Sequence, residues 1–184
     1  MRASTIRLGS LPLVALALVC VLVGCNGKGS GGPATDGPLS SGGSMHGPIP
    51  RGSQCVPGGR PVAFGLTSFT NYGTATVILD RVVLLHPHNE HLVGSFAVPG
   101  ARVLGEEYWP VVSHPGQPNW KNRQPVHAYR LAPGKSFNMI LGIAAIAPAR
   151  ATSQGMLVYY HNSSGRYVAK NLWANIIAAN THTC

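Results

Sequence analysis

Apolar and polar residues alternate over much of the chain after Pro61, in short runs that end at turn residues. This period-two pattern predicts β-strands, because successive side chains of a strand point to opposite faces. PVAFGLTSF is the first such run, and TATVILDRVVLL is the second, with a charged interruption at Asp80-Arg81 that indicates a bulge. HLVGSFAV predicts a third strand, which ends at Pro99-Gly100.

The same pattern continues in the C-terminal half of the chain. VHAYRL, SFNMILGIAA, GMLVYYH and RYVAKNLWANII each predict a strand, and NSSG predicts a hairpin turn between the last two. The final segment is predicted as strand through about Trp173. Beyond it the spacing of Leu172, Ile176 and Ala179 also fits a helix, so both remain open. About seven short antiparallel strands resemble an immunoglobulin-like β-sandwich, so the predicted fold class is all-β.

The stretch between Gly105 and Pro125 breaks this pattern, because it is rich in proline and has little period-two order. Aromatic side chains on a rigid loop are typical of sugar or peptide recognition, and basic neighbours suit an anionic polymer. The alternative is that both tryptophans fold inward and cap one end of the sandwich, as buried aromatic residues commonly do. The candidate residues of a binding loop are Tyr108, Trp109, Trp120, Lys121 and Arg123.

The N-terminus has the pattern of a signal segment. Arg2 and Arg7 precede an uncharged stretch at positions 8–24, which is shorter than the roughly 20 residues that span a bilayer. The residues LVGC that end at Cys25 resemble the lipobox of bacterial lipoproteins. The resemblance implies that residues 1–24 are a signal peptide, and that Cys25 carries a lipid such as palmitate and starts the mature chain. The alternative is an ordinary secretory or membrane helix that happens to contain a cysteine.

Residues 25–50 are predicted to form a flexible tether. Asn26 to Pro50 holds eight Gly, four Ser and four Pro among 25 residues. Such a segment has too few apolar side chains to offset the entropy of ordering, and we expect it to be disordered. Residues 51–184 have the size of one compact domain. The expected protein is therefore a β-sandwich that a lipid anchor holds at the cell membrane, on its extracytoplasmic face.

Cysteine use agrees with an oxidising compartment outside the cytoplasm. Cys20 lies in the predicted signal peptide and Cys25 is assigned to the lipid, which leaves Cys55 and Cys184 at the two ends of the domain. In an oxidising environment these two are able to form a disulfide bridge. The alternatives are two unpaired thiols or a bond between molecules.

The net charge is basic. Without Arg2 and Arg7, twelve of the 14 Lys and Arg residues remain against five Asp and Glu, which gives the mature chain a formal charge of +7. The basic residues are scattered singly, so nucleic acid is not an expected partner. Outside the cytoplasm the anionic neighbours are lipid head groups and wall polymers. The alternative is a solvated surface that happens to be basic.

Three histidines lie close together in LHPHNEH. His86 and His88 are two residues apart and so point to one side of an extended chain, and His91 follows with Glu90 beside it as a further ligand or a hydrogen-bond partner of one. This spacing is compatible with a copper or zinc site. The favoured interpretation is a polar turn, because Pro87 breaks the strand and no other cluster of ligands supports a metal.

The C-terminal third, LAPGKSFNMILGI and GMLVYYHNSSGRYVAKNLW, is similar to envelope lipoproteins of high-GC Gram-positive bacteria. That resemblance implies location and fold rather than an activity. No nucleophile is evident, and Glu106 and Glu107 are adjacent, so in an extended segment they point to opposite faces. The sequence predicts a non-enzymatic envelope lipoprotein that binds another envelope component, either a protein or a wall polymer. The alternative is an extracytoplasmic copper or zinc carrier that uses the three histidines.

Overall fold

A computed structural model describes residues 32–42, 51–100, 105–111 and 119–179 of the chain. The predicted signal peptide lies outside them, and no helix among them is long and apolar enough to cross a membrane. The described residues form twelve β-strands and one 3-10 helix, Trp120–Asn122. The strands are β1 (Leu39–Ser41), β2 (Arg51–Val56), β3 (Val62–Asn71), β4 (Val77–Leu84), β5 (Glu90–Pro99), β6 (Gly105–Tyr108), β7 (Gln124–Pro125), β8 (Arg130–Leu131), β9 (Ser136–Ala145), β10 (Ala151–Ser153), β11 (Met156–Asn162) and β12 (Gly165–Ile177).

The strands form two sheets of six. The first sheet has the order β1-β3-β9-β5-β7, with β6 also paired to β3. The second has the order β10-β12-β11-β4-β8, with β2 also paired to β12. The β2/β12 pair is parallel, and the other pairs are antiparallel. The predicted immunoglobulin-like β-sandwich is confirmed, with twelve strands where about seven were expected.

The core lies between the two sheets, and β9 is at its centre. Phe137, Met139, Leu141 and Ile143 are alternate residues of β9, and all four are fully buried. Phe137 stacks on Phe69 of β3 with ring centroids 5.5 Å apart. Burial of each such side chain contributes about 1.5–3 kcal/mol relative to an exposed position. The period-two pattern in SFNMILGIAA therefore encodes the inner face of the first sheet.

The predicted bulge in β4 is confirmed. Tyr159 of β11 lies opposite Arg81, and Tyr160 lies opposite Leu79, so Asp80 is the extra residue on the β4 side. An extra residue in one strand bends the strand and redirects the neighbouring side chains. The consequence is that Asp80 and Arg81 are displayed next to each other at the surface of the second sheet.

The prediction of a flexible tether is wrong for residues 32–42. Leu39 starts the edge strand β1 of the first sheet and is only 4% exposed. Ala34 forms a bridge to Tyr167 of the second sheet. We call residues 33–41 the N-terminal strap, because this segment is bonded to both sheets. The rest of the predicted tether, residues 25–31 and 43–50, lies outside the described residues.

A pair of tyrosines explains why a segment with this composition is ordered. Tyr160 and Tyr167 stack with ring centroids 5.4 Å apart. Burial raises the pKa of Tyr160 to about 12, so its hydroxyl stays neutral and accepts a hydrogen bond from the Leu39 N–H at 3.1 Å. Gly37 lies so close to the Tyr160 hydroxyl and the Tyr167 ring that any side chain there would collide with them. Glycine thus serves close packing here rather than flexibility.

Strand β12 settles the open question about the C-terminal segment, because it continues as strand to Ile177. Its last residues pair with β10 on one side and with β2 on the other, which satisfies the backbone on both edges. Cys55 lies in β2. Its pairing with Cys184 stays a prediction, because Cys184 lies outside the described residues.

Candidate functional site

The two tryptophans of the predicted binding loop fold inward. Trp120 is 6% exposed, and Trp109 stacks on Phe96 with ring centroids 5.5 Å apart. The Trp109 ring lies over Gly94 and Gly142, where a side chain would collide with it. The alternative considered from the sequence is therefore confirmed in part: both rings are inward, but they cover the outer face of the first sheet rather than one end of the sandwich.

Two of the other predicted loop residues, Tyr108 and Arg123, also pack against side chains of the protein itself. The Arg60 guanidinium lies 3.1 Å from the ring centroid of Tyr108. Arg123 lies 4.6 Å from the Trp120 centroid and donates a hydrogen bond to the Trp120 carbonyl oxygen at 3.4 Å. Lys121 is exposed on the 3-10 helix. The structure does not present these aromatic rings as an open stacking surface.

His86 and His88 lie in the turn between β4 and β5, and His91 is the second residue of β5. His86 and Asn89 have φ values of 49° and 55°, a left-handed conformation typical of turns. His88 bridges to Thr152, and His91 is exposed on β5. No group of three His, Cys, Asp or Glu residues that could hold a metal ion occurs among the described residues, which include all three histidines. The segment is therefore a turn, as the favoured interpretation expected.

The outer face of the second sheet carries a concentration of positive charge that the linear sequence conceals. We call it the basic face. Alternate residues of its strands point outward, and the cations among them are exposed. The only carboxylate on any strand of this sheet is Asp80. The basic face contains Arg81 of β4, Arg130 of β8, and Arg166 and Lys170 of β12.

Strand register brings these cations into rows. Arg130 pairs with Ile78, Ile78 with His161, and His161 with Arg166, so one row crosses four strands. Neighbouring strands are about 4.8 Å apart, so the two ends of this row are roughly 14 Å apart. In the next row Tyr159 lies between its partners Arg81 and Val168. The Arg81 guanidinium lies 4.2 Å from the Tyr159 ring centroid.

The bulge residue Asp80 is held by two histidines. Its carboxylate oxygen Oδ1 is 2.7 Å from Nδ1 of His161, and both side chains are a little under two-fifths exposed. Its backbone oxygen is 3.0 Å from Nδ1 of His127, which lies in the turn before β8. The Asp80 carboxylate is therefore fixed beside the row of cations by its contact with His161. The Nε2 atoms are the remaining polar atoms of the two rings.

A cleft of about 640 Å³ opens at the hairpin end of the basic face. Asn162 fixes its rim, because Asn162 Oδ1 accepts the N–H groups of Ser164 and Gly165 at 2.8 and 3.2 Å. A volume of this size is typical of small-ligand sites. Its lining includes Pro33, Asp80, Arg81, Tyr159, His161 and Arg166.

Sequence reasoning missed this face because its cations are isolated in the chain. Within one strand a signal was present: Arg166 and Lys170 are four residues apart, and Tyr159 and His161 are two apart, so each pair shares a face of its strand. Arg81 and Arg130 lie near these residues because of the register between strands, which the sequence pattern does not specify.

Comparison with known proteins gives little beyond the fold. No protein family model matches the chain, and no curated protein matches it. The ASH/PapD-like domain of human CEP192 (PapD-like domain 7) is similar in structure, with 11% identity and a TM-score of 0.37, covering 82% of this chain and 91% of that one. The secreted serine protease VesC from Vibrio cholerae has 12% identity and a TM-score of 0.27, covering 66% of this chain and 21% of the protease. Neither likeness bears on function.

Proposed function

We propose that the protein is an envelope lipoprotein, held by a lipid on Cys25 at the extracytoplasmic face of the cell membrane, with a non-enzymatic binding domain. Its partner is an anionic envelope component, and the basic face is the binding surface. The observation that carries the proposal is the gathering of four exposed cations around Tyr159, on a sheet whose strands hold one carboxylate.

The chemistry of the basic face suits phosphate or carboxylate groups. A guanidinium stacked on an aromatic ring keeps its N–H donors in the plane of the group, where they remain able to form paired hydrogen bonds to an anion. Arg81 over Tyr159 is such an arrangement. Arg130, Arg166 and Lys170 are exposed and add charge over a broad area, which favours an extended anionic partner over one small ion.

Reversing two charges on the basic face should abolish most of the binding to an anionic polymer. The test uses the mature chain from residue 25 with Cys25→Ser, and a soluble polyol phosphate polymer as the probe. We expect Arg81→Glu with Arg166→Glu to weaken binding on the order of a hundredfold, because two attractions become repulsions. Isothermal titration at low and physiological salt measures this loss, and binding of the unsubstituted protein should weaken as salt rises.

The matched control reverses two exposed cations that lie on no strand of the second sheet, Lys121→Glu with Arg150→Glu. The net charge of the two double variants is the same, so only the position of the charges differs. Equal losses in both variants would mean that net charge alone drives binding, and the basic face would then have no special role.

Replacing Cys25 with serine should remove the lipid, because serine has no thiol to form the thioether. Cells that express the full chain are fed a palmitate analogue, and the purified protein is assayed for label. Cys20→Ser is the control and should retain the label, since this position lies in the predicted signal peptide. Label that persists on the Cys25→Ser protein would refute the anchor assignment.

A further inference from the structure

The chain leaves the folded body toward its N-terminus at the rim of the basic face. The Ala34 N–H donates to the Arg166 carbonyl oxygen at 3.1 Å, and the Val168 N–H donates to the Ala34 carbonyl oxygen at 2.8 Å. Ala34 thereby lies along the free edge of β12 at the end that carries Arg166. Pro33 lines the cleft beside Asp80. The route to Cys25 therefore starts next to the cations.

The ordered strap shortens the tether. Eight residue steps separate Cys25 from Pro33, and a fully extended chain covers at most about 3.3–3.6 Å per residue. The maximal reach is therefore roughly 26–29 Å, whatever conformation these residues adopt. A tether that ran freely to residue 50 would reach about three times as far. The strap thus limits how far the rim of the basic face can lie from a lipid on Cys25.

We propose that the basic face docks on the anionic phospholipid head groups of the membrane that holds the Cys25 anchor. This inference rests on the proposed function and names the partner of that surface. The short tether keeps the local concentration of head groups high, which favours a second, weak contact on the same surface. Each Lys or Arg near an anionic membrane adds to the attraction, and tyrosine is favoured at the interface.

Charge complementarity also favours this face over the first sheet. The outer face of the first sheet is covered by the Trp109 and Trp120 cluster, and the carboxylate of Glu107 is exposed beside it. The second sheet has one carboxylate, Asp80, which is bonded to His161. A sheet face with exposed cations in several rows is suited to many weak contacts with a planar array of phosphates.

Vesicle binding tests the inference without the lipid anchor. The mature chain with Cys25→Ser is sedimented with vesicles of phosphatidylcholine alone and of phosphatidylcholine mixed with phosphatidylglycerol. We expect the protein to bind the vesicles that contain phosphatidylglycerol and not those of phosphatidylcholine alone. This binding should weaken as the salt concentration rises. Arg81→Glu with Arg166→Glu should reduce it more than tenfold, whereas Lys121→Glu with Arg150→Glu should change it less than threefold. The neutralising pair Arg81→Gln with Arg166→Gln should give an intermediate loss.

The outcomes separate this inference from the proposed function. Binding to the soluble polyol phosphate polymer without binding to anionic vesicles would overturn the membrane docking and leave an anionic polymer as the partner. Absence of binding to both would overturn both proposals. Vesicle binding that both charge-reversed double variants lose equally would also overturn the inference, because the basic face would then contribute no more than net charge.

Discussion

Replacing Trp120 with alanine should lower the free energy of unfolding by about 3–5 kcal/mol. Trp120 is 6% exposed and belongs to a second apolar cluster on the outer face of the first sheet. Its ring packs edge-on against Phe96, with centroids 6.2 Å apart, and is covered by Arg123. Truncation removes the buried area and leaves a cavity that the neighbouring strands fill only partly. The other buried members of the cluster are Ala63, Val98, Val111 and Ile140.

Urea unfolding followed by circular dichroism measures this loss. Tyr108→Ala is the matched control from the same segment, because Tyr108 is 42% exposed. We expect it to cost less than about 1 kcal/mol, as for most exposed positions. Trp120→Phe keeps much of the buried apolar area, so its loss of unfolding free energy should lie between those of Trp120→Ala and Tyr108→Ala. Equal effects of Trp120→Ala and Tyr108→Ala would show that the second cluster does not stabilise the fold.

Period-two patterns were sufficient to predict the long strands. PVAFGLTSF, TATVILDRVVLL and SFNMILGIAA correspond to β3, β4 and β9, because each has one face in the core. The charged interruption at Asp80-Arg81 was informative for the same reason, since a charged pair inside an apolar strand is accommodated by a bulge. These features depend on local sequence and on burial alone.

The short strands depend on contacts that no local pattern records. The strap has one buried apolar residue, Leu39, in a segment rich in Gly, Ser and Pro, and composition alone predicts disorder for it. Its order comes from Tyr160 and Tyr167, more than a hundred residues away. Strands β6, β7 and β10 likewise have two to four residues each, so their pairing is set by the longer strands beside them.

The basic face was unpredictable for a related reason. The sequence shows an excess of cations, but each is isolated from the others along the chain. A solvated basic surface was therefore a sound alternative to a binding surface for an anionic partner. Only the pairing of β4, β8, β11 and β12 places Arg81, Arg130 and Arg166 on one side of one sheet. The histidines of LHPHNEH show the converse: three candidates adjacent in sequence are separated by a turn in the structure.

Glu90 is the residue whose environment differs most from its sequence context. It lies among exposed histidines, but its own side chain is 5% exposed at the start of β5. Neither carboxyl oxygen makes a well-formed hydrogen bond within the part of the chain described. Burial raises the pKa of Glu90 above its ordinary value of 4.5, and the side chain of Ser153 offsets only part of that rise. Ser153 is itself bonded to Asn175 Nδ2 at 3.3 Å, so it belongs to a buried polar row.

Replacing Glu90 with glutamine should stabilise the protein at neutral pH. Because the folded-state pKa is raised, the stability contributed by protonated Glu90 is fully present below the unfolded-state pKa and is lost as pH rises through the folded-state pKa. Glutamine has a similar shape and does not ionise, so the variant avoids this loss. The raised pKa sets the sign of the change, so the free energy of unfolding at pH ~7 should be higher for Glu90→Gln than for the unsubstituted protein.

The measurement is the difference in unfolding free energy between Glu90→Gln and the unsubstituted protein across a pH series. That difference should be near zero below the ordinary Glu pKa and should grow as pH rises, because only the unsubstituted protein must then hold a buried carboxylate or take up a proton. Glu107→Gln, at an exposed position of β6, is the control for the loss of one carboxylate. A difference that varies with pH no more for Glu90→Gln than for Glu107→Gln would mean that burial does not shift the titration of Glu90.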